Sequence, residues 1–263
     1  MANIKVLNRL QGENTSQYAY RVLYYNIINL LLAPGEPLSE AEIAAALSIS
    51  RTPVREALSR LRDDFLVDIF PQKISRVSLL DLDLMCEGIE IRRVIETFVI
   101  NSAIGHLKDD AVQALHENLN SQRYVLSVSP YDEGKFQSLD DEFHRIIYFS
   151  VGKQLSWNVV SHASQHYMRY LRLQTSDELK LETNKIHRAC FAMHEELLAA
   201  LLKGQPFDAS EFCCRHIHNF TVLPNYEEYE KKVMEECRGY FVPFSPDTYE
   251  RLRTLRGGVE QRA

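Results

Sequence analysis

Between Leu38 and Leu61 the chain reads LSEAEIAAALSISRTPVREALSRL. Ile43, Leu47, Ile49, Val54, Leu58 and Leu61 recur at helical spacing and give one buried face. The pattern predicts two short amphipathic helices joined by a tight turn, the second opening at Ser50-Arg51-Thr52-Pro53-Val54-Arg55-Glu56. Ser50 suits an N-cap, Pro53 falls in the first turn where its missing N–H costs nothing, and Glu56 supports the same cap. Arg51, Thr52 and Arg55 then share the opposite face at the start of the second helix. A recognition helix meets base edges in a major groove with those positions. Arg55 offers two parallel donors to guanine, while Arg51 and Thr52 sit where donors and the helix dipole favour phosphate.

These residues resemble the winged helix of the GntR family of bacterial transcription regulators. The family signature runs close to L-S-E-R-E-L-A, a short gap, then S-R-T-P-V-R-E-A-L, and residues 38–58 match it almost throughout. Ala33-Pro34-Gly35-Glu36-Pro37-Leu38 matches the family's P-G-x-x-L entry. The resemblance implies DNA contacts from Ser39, Arg51, Thr52, Arg55 and Lys73. Three positions depart from the pattern: Ala41 replaces a common arginine, Phe65 a helix-ending glycine, and Ile74 the wing glycine. At the wing tip a β-branched residue makes positive φ costly.

A DNA reader with net charge −6 needs a local explanation. Residues 1–78 carry nine Lys or Arg against eight Asp or Glu, and the remainder carries 21 against 28. Arg51, Arg55, Arg60 and Arg62 make the recognition stretch locally basic, and local charge is what attracts a polyanion. The 263 residues suffice for two modest domains. No run approaches the roughly 20 apolar residues of a membrane span, and residues 1–10 do not read as a signal peptide. Cys86, Cys190, Cys213, Cys214 and Cys237 are odd in number and lack C-x-x-C spacing, which fits buried thiols in a reducing cytoplasm.

Residues 1–14 are polar. A winged helix-turn-helix domain is expected over 15–80, with a first helix at Tyr18–Leu32 and strands near Leu66–Phe70 and Arg76–Leu80. An all-α bundle is expected over 84–223. Its helices are read at Leu84–Gly105, Asp109–Val128, Glu133–Val151, Leu155–Gln174, Thr183–Lys203 and Ala209–Val222. Residues 224–263 form an extension to which the sequence assigns no role.

Within the bundle, Asp140 and His144 are four apart and share a helix face, beside the apolar Leu139, Phe143, Ile146 and Ile147. His194 and His216 stand on two further helices. One carboxylate and three imidazoles make a set for zinc, nickel or manganese. The alternative is a hydrogen-bonded Asp–His pair in a helix interface. The segment resembles the FCD domain, the helical effector domain fused to many GntR winged helices. Its hallmarks are carried by Glu90-Ile91-Arg92 with Glu96, Asp140 to His144, His194 with Leu197 and Ala200, and Gly204 with His216. The resemblance covers roughly residues 15–223 and implies the ligand set Asp140, His144, His194 and His216.

His218, two residues past His216, turns elsewhere and reads as a bystander. Arg92 is the candidate for an effector carboxylate, with a salt bridge to Glu96 as its alternative. His166 and Arg169 are further effector candidates, with Arg172 nearby; ordinary helix-surface residues are the other reading. Together these readings describe a cytoplasmic homodimer that binds double-stranded operator DNA under control of a small organic or sugar acid. Its rivals are a metal-dependent enzyme at the Asp/His site and a DNA-binding dimer with no effector. Against the enzyme, Glu195 beside His194 faces a different side of its helix.

Overall fold

The computed structural model describes residues 4–70, 73–128, 130–174, 183–204, 207–217 and 226–257. It is mainly helical, with one small antiparallel sheet near the N-terminus among the described residues.

The first helix, α1 (Thr15–Ile28), starts three residues before the apolar pattern does. Asn14 and Gln17 form a reciprocal capping box, each side chain accepting from the other's backbone N–H at 2.8–2.9 Å. It stops at Ile28, short of the expected Leu32, where the chain turns through a left-handed Leu30. Next come β1 (Pro37–Leu38), α2 (Glu40–Leu47) and α3 (Arg51–Asp63), then β2 (Val67–Asp68) and β3 (Ser75–Val77). β1, which the sequence pattern did not suggest, pairs with β3 on the side opposite β2. Ile43, Leu47, Val54, Leu58 and Leu61 are buried with Val22, Leu23 and Ile27 of α1 in one core. The turn between α2 and α3 rests on Ser48 in the left-handed region.

Phe65, where the family places glycine, also adopts positive φ, at +60°. A non-glycine residue there is strained, and neighbours hold it in place. Its carbonyl accepts from the Ser78 hydroxyl at 2.8 Å and from His166 Nε2 at 3.0 Å. Ile74 does not lie in the left-handed region, so the expected cost of a β-branched residue at positive φ does not arise there. Pro71 and Gln72 of the wing lie outside the described residues.

Asp81 caps α4 (Leu82–Ala103) by accepting from Asp83 N–H and Leu84 N–H. The bundle continues through α5 (Asp109–Ser127), α6 (Glu133–Ser150), α7 (Gln154–Ala163), α8 (Gln165–Gln174), α9 (Thr183–Lys203) and α10 (Ala209–Ile217). The single helix expected over 155–174 is two, divided at Ser164. There α4 approaches so closely that a Cβ on Gly88 would collide with the Ala163 carbonyl. Val99, Ile100, Phe143, Ile147, Leu197 and Phe212 share the bundle core.

The C-terminal extension forms α11 (Tyr226–Glu236) and α12 (Pro246–Gly257). Val233, Phe241 and Leu252 pack with Leu80, Met85 and Tyr170. Leu80 exchanges backbone hydrogen bonds with Tyr240 and Val242, and Arg251 pairs with Glu90 at 2.8 Å. The extension therefore grips the segment joining the winged helix to the bundle.

Candidate functional site

Arg51, Thr52 and Arg55 are all exposed at the start of α3. Ser39 caps α2, accepting from Glu42 N–H at 3.4 Å. Ser50 occupies the cap position of α3 but makes no side-chain cap bond, contrary to expectation. Arg55 donates through Nη2 and Nε to Glu40, at 2.8 and 3.2 Å. Such an exposed pair is weak, so an incoming base or phosphate can displace it. Lys73 is exposed on the wing.

The bundle holds the second site. Asp140 and His144 of α6, His194 of α9 and His216 of α10 bring one donor atom each to within 4.8 Å of one another. His194 Nε2 lies 2.8 Å from His216 Nε2 and 3.3 Å from Asp140 Oδ1, and His216 Nε2 lies 3.8 Å from that oxygen. The three histidines are buried.

The far side of each ring decides what the near side can do. His144 Nδ1 is 2.5 Å from Glu96 Oε1, so this nitrogen carries the proton and Nε2 keeps its lone pair. That Nε2 is buried and has no hydrogen-bond partner among the described residues. His194 Nδ1 is 3.0 Å from Gln122 Oε1. Gln122 donates to Asn118 Oδ1, and Asn118 donates to the Leu139 carbonyl, which turns the Gln122 oxygen towards His194. His194 Nε2 is then also an acceptor. Carboxylate and carbonyl partners behind ligating histidines are the usual outer shell of a metal site. A buried lone pair facing other acceptors has no favourable role without a proton or a cation. The donor set fits a divalent ion.

Electrostatics agree at His194 and His216, while His144 is held towards its protonated form. Burial holds His194 well below its ordinary pKa and pushes His216 down to about 3, so both rings are neutral at pH 7. Burial opposes ionisation of Asp140, but the histidines outweigh it and hold the carboxyl below its usual range. For His144 burial opposes the charged form, and Glu96 more than compensates, raising the pKa.

A cavity of about 60 Å³ opens beside the cluster, lined by Asp140, Cys190, His216, Arg92 and Arg172 among others. That is room for several waters or a small carboxylate. It adjoins a larger cleft of about 800 Å³ that shares Arg92, Met168 and Arg172. Arg92 makes the salt bridge of its alternative reading, with Nε 2.8 Å from Glu96, and it also lines the cavity.

The other two effector candidates are placed elsewhere. Arg169 is fully buried and donates to the Ser78 hydroxyl at 3.0 Å and the Ser78 carbonyl at 2.5 Å. His166 accepts from Asp81 N–H at its Nδ1 and donates from Nε2 to the Phe65 carbonyl. Both tie the bundle to the winged helix. The cause is register: Arg172 is three residues beyond Arg169 on α8, and it reaches the cavity wall. His187 stacks on Phe136 and lines the cavity, while His162 is exposed. Glu195 pairs with Arg123 on the surface, away from the cluster. His218 lies outside the described residues.

Sequence reasoning missed Gln122, Cys190 and the role of Glu96 towards His144. Gln122 and Asn118 are buried polar residues four apart on a helix face that also buries Leu115 and Leu119. That polar pair on an apolar face was the available signal. Cys190 precedes His194 by four, which puts it on the same face of α9.

Comparison with known proteins agrees with this layout. Residues 15–77 match the model of the gntR family of bacterial regulatory proteins, and residues 87–219 match the FCD domain. The HTH-type transcriptional repressor RspR of Escherichia coli K12 is 34% identical over 167 residues, 63% of this chain and 72% of that protein. The gluconate operon transcriptional repressor of Bacillus licheniformis is 30% identical over 139 residues, 52% of this chain and 56% of its own. Among solved structures, E. coli McbR/YncC superposes with a TM-score of 0.63 at 19% identity, covering 86% of this chain and 99% of that one. A putative GntR regulator from Rhodococcus sp. RHA1 gives 0.56 at 21% identity, covering 84% and 97%. The chain belongs to the GntR family of transcriptional regulators, with an N-terminal DNA-binding helix-turn-helix domain and a C-terminal FCD domain.

Proposed function

We propose that this regulator works as a cytoplasmic homodimer whose operator affinity is set by a small organic or sugar acid bound beside a divalent ion in the bundle. The observation that carries the reading is the convergence of Asp140, His144, His194 and His216 around a buried Nε2 that no group among the described residues satisfies. Those four residues would hold the ion, which supplies a fixed positive charge and open positions for a carboxylate. Arg92 and Arg172 add guanidinium donors on the same cavity wall, and Arg forks suit carboxylates. The cavity's size favours a compact acid over a large ligand.

Dimerisation is supported by an exposed apolar strip, Val94 and Phe98 on α4 with Leu155 and Val159 on α7. Large exposed apolar patches mark contact surfaces. Two copies joined there would present two copies of α3 to a palindromic operator read by Arg51, Thr52 and Arg55, with Ser39 and Lys73 at phosphate. An acid that prefers one placement of the winged helices shifts DNA affinity by that preference. Arg169 and His166 would carry the coupling, because they join α8 to Ser78 and Phe65.

The test uses labelled operator selected from random DNA by the protein itself. Metal-loaded protein is titrated in the presence of a panel of small carboxylic and sugar acids. At least one acid should change affinity about fivefold or more, and His194→Ala with His216→Ala should abolish that response while operator binding persists. No response from any acid, or an undiminished response in the double variant, would overturn the reading.

A further inference from the structure

Cys190 lies beside three of the four residues of the proposed ion site, Asp140, His194 and His216. Its Sγ is 3.0 Å from Asp140 Oδ1, 3.4 Å from His216 Nε2 and 3.7 Å from His194 Nε2. Donors bound to one ion at about 2.0–2.1 Å for nitrogen and 2.3 Å for sulfur stand roughly 3.1–3.6 Å apart as the angle opens from 90° to tetrahedral. Of the cysteine's distances, 3.4 Å falls inside that range and 3.0 and 3.7 Å fall just beyond its two ends. All three fall within the range set by the other donors among themselves, 2.8 Å for His194 with His216 and 3.8 Å for His216 with Asp140.

Position and surroundings point the same way. Cys190 is one turn before His194 on α9, so the helix that delivers the imidazole also delivers the sulfur. It is 3% exposed and lines the cavity with Asp140 and His216. A residue needed only for packing would meet apolar neighbours on every side. Cys190 shares a buried cluster with Val125, Leu126 and Phe136 and also meets a carboxylate and two imidazole nitrogens.

We infer that Cys190 is a fifth donor to the ion, binding it through sulfur on the side that faces the cavity. This rests on the metal reading above and sharpens it. On coordination the thiol proton leaves to solvent. A thiolate shifts the preference towards zinc-like ions and away from manganese, because soft sulfur suits the former and hard oxygen the latter. Any acid entering the cavity then meets the ion beside the sulfur.

Cobalt(II) is the probe. Full-length protein stripped with chelator and loaded with Co²⁺ should show visible d–d bands together with a near-ultraviolet sulfur-to-cobalt charge-transfer band. Cys190→Ser should keep the visible bands and lose the near-ultraviolet one. Zinc-edge X-ray absorption on the unmutated protein needs no variant and should show one sulfur at about 2.3 Å beside nitrogen and oxygen at about 2.0–2.1 Å. Visible bands without charge transfer in the unmutated protein, or a zinc shell of nitrogen and oxygen alone, would overturn the thiolate while leaving the metal site standing. An absence of any cobalt spectrum would overturn both.

Discussion

The bundle buries histidine and arginine in two places, and the two differ in what faces the side chains. At the cluster, His144 and His194 are backed by Glu96 and Gln122 and turn their other ring nitrogens towards the space shared with His216 and Asp140. At the domain junction, His166 and Arg169 end on the Phe65 carbonyl, the Asp81 N–H and Ser78. The first arrangement leaves lone pairs that only a proton or a cation can satisfy. The second uses its polar groups to dock one domain on the other. Residue type alone does not separate a ligand site from a structural joint; the partner on the far side of each ring does.

The largest effect that would break this contrast is expected at Arg169. Arg169→Ala removes the Ser78 contacts and leaves a buried void, and should cost about 2–3 kcal/mol of unfolding free energy. Denaturant melts check it, and bound metal should be unchanged. Unaltered stability would contradict a structural joint at Arg169. At the cluster, Gln122→Leu removes the acceptor behind His194 without touching a donor. Metal affinity should fall about 10- to 100-fold, read by competition with a chelating dye. An unchanged affinity would show that the Gln122 bond does not orient the ring.

Arg55→Ala touches neither region. It should lower discrimination between operator and random DNA by about tenfold while leaving melting and metal content alone, measured by fluorescence anisotropy. An unchanged ratio would move base recognition elsewhere on α3.

The smallest effect is a pH dependence at the junction. Burial, with Arg169 nearby, lowers the His166 pKa to about 4. Unfolded histidine titrates near about 6.5, so the unfolded chain takes up the proton first and acid favours it. The contribution of His166 is present in full above that value and is lost as pH falls towards 4. In metal-free protein, His166→Leu should reduce the proton uptake on unfolding between those limits by up to about one. An identical pH slope in the variant would contradict a neutral His166 at the joint.

The recognition helix was legible because local pattern and function coincide there. Val54, Leu58 and Leu61 fix which face is buried, and Arg51 and Arg55 necessarily lie on the other. The four candidate donors were legible because each carries a family motif, and the structure brings them together from three helices. The placement of His166 and Arg169 at the domain junction was not legible. Helical spacing gives angular positions on α8 but not which neighbour each face meets, and Arg172 rather than Arg169 faces the cavity. The start of α1 at Thr15 was readable in principle from the Asn14–Gln17 spacing. β1 and the division of the 155–174 helix depend on contacts with β3 and Gly88, which no local pattern records.

If the converged donors hold an ion, the protein should retain one through purification. Elemental analysis of protein purified without chelators, then exposed to zinc and nickel and desalted, tests it most directly. About one divalent ion per chain is expected in the unmutated protein, and next to none in a variant carrying both His194→Ala and His216→Ala. Stoichiometric metal in that variant, or none in the unmutated chain, would contradict it.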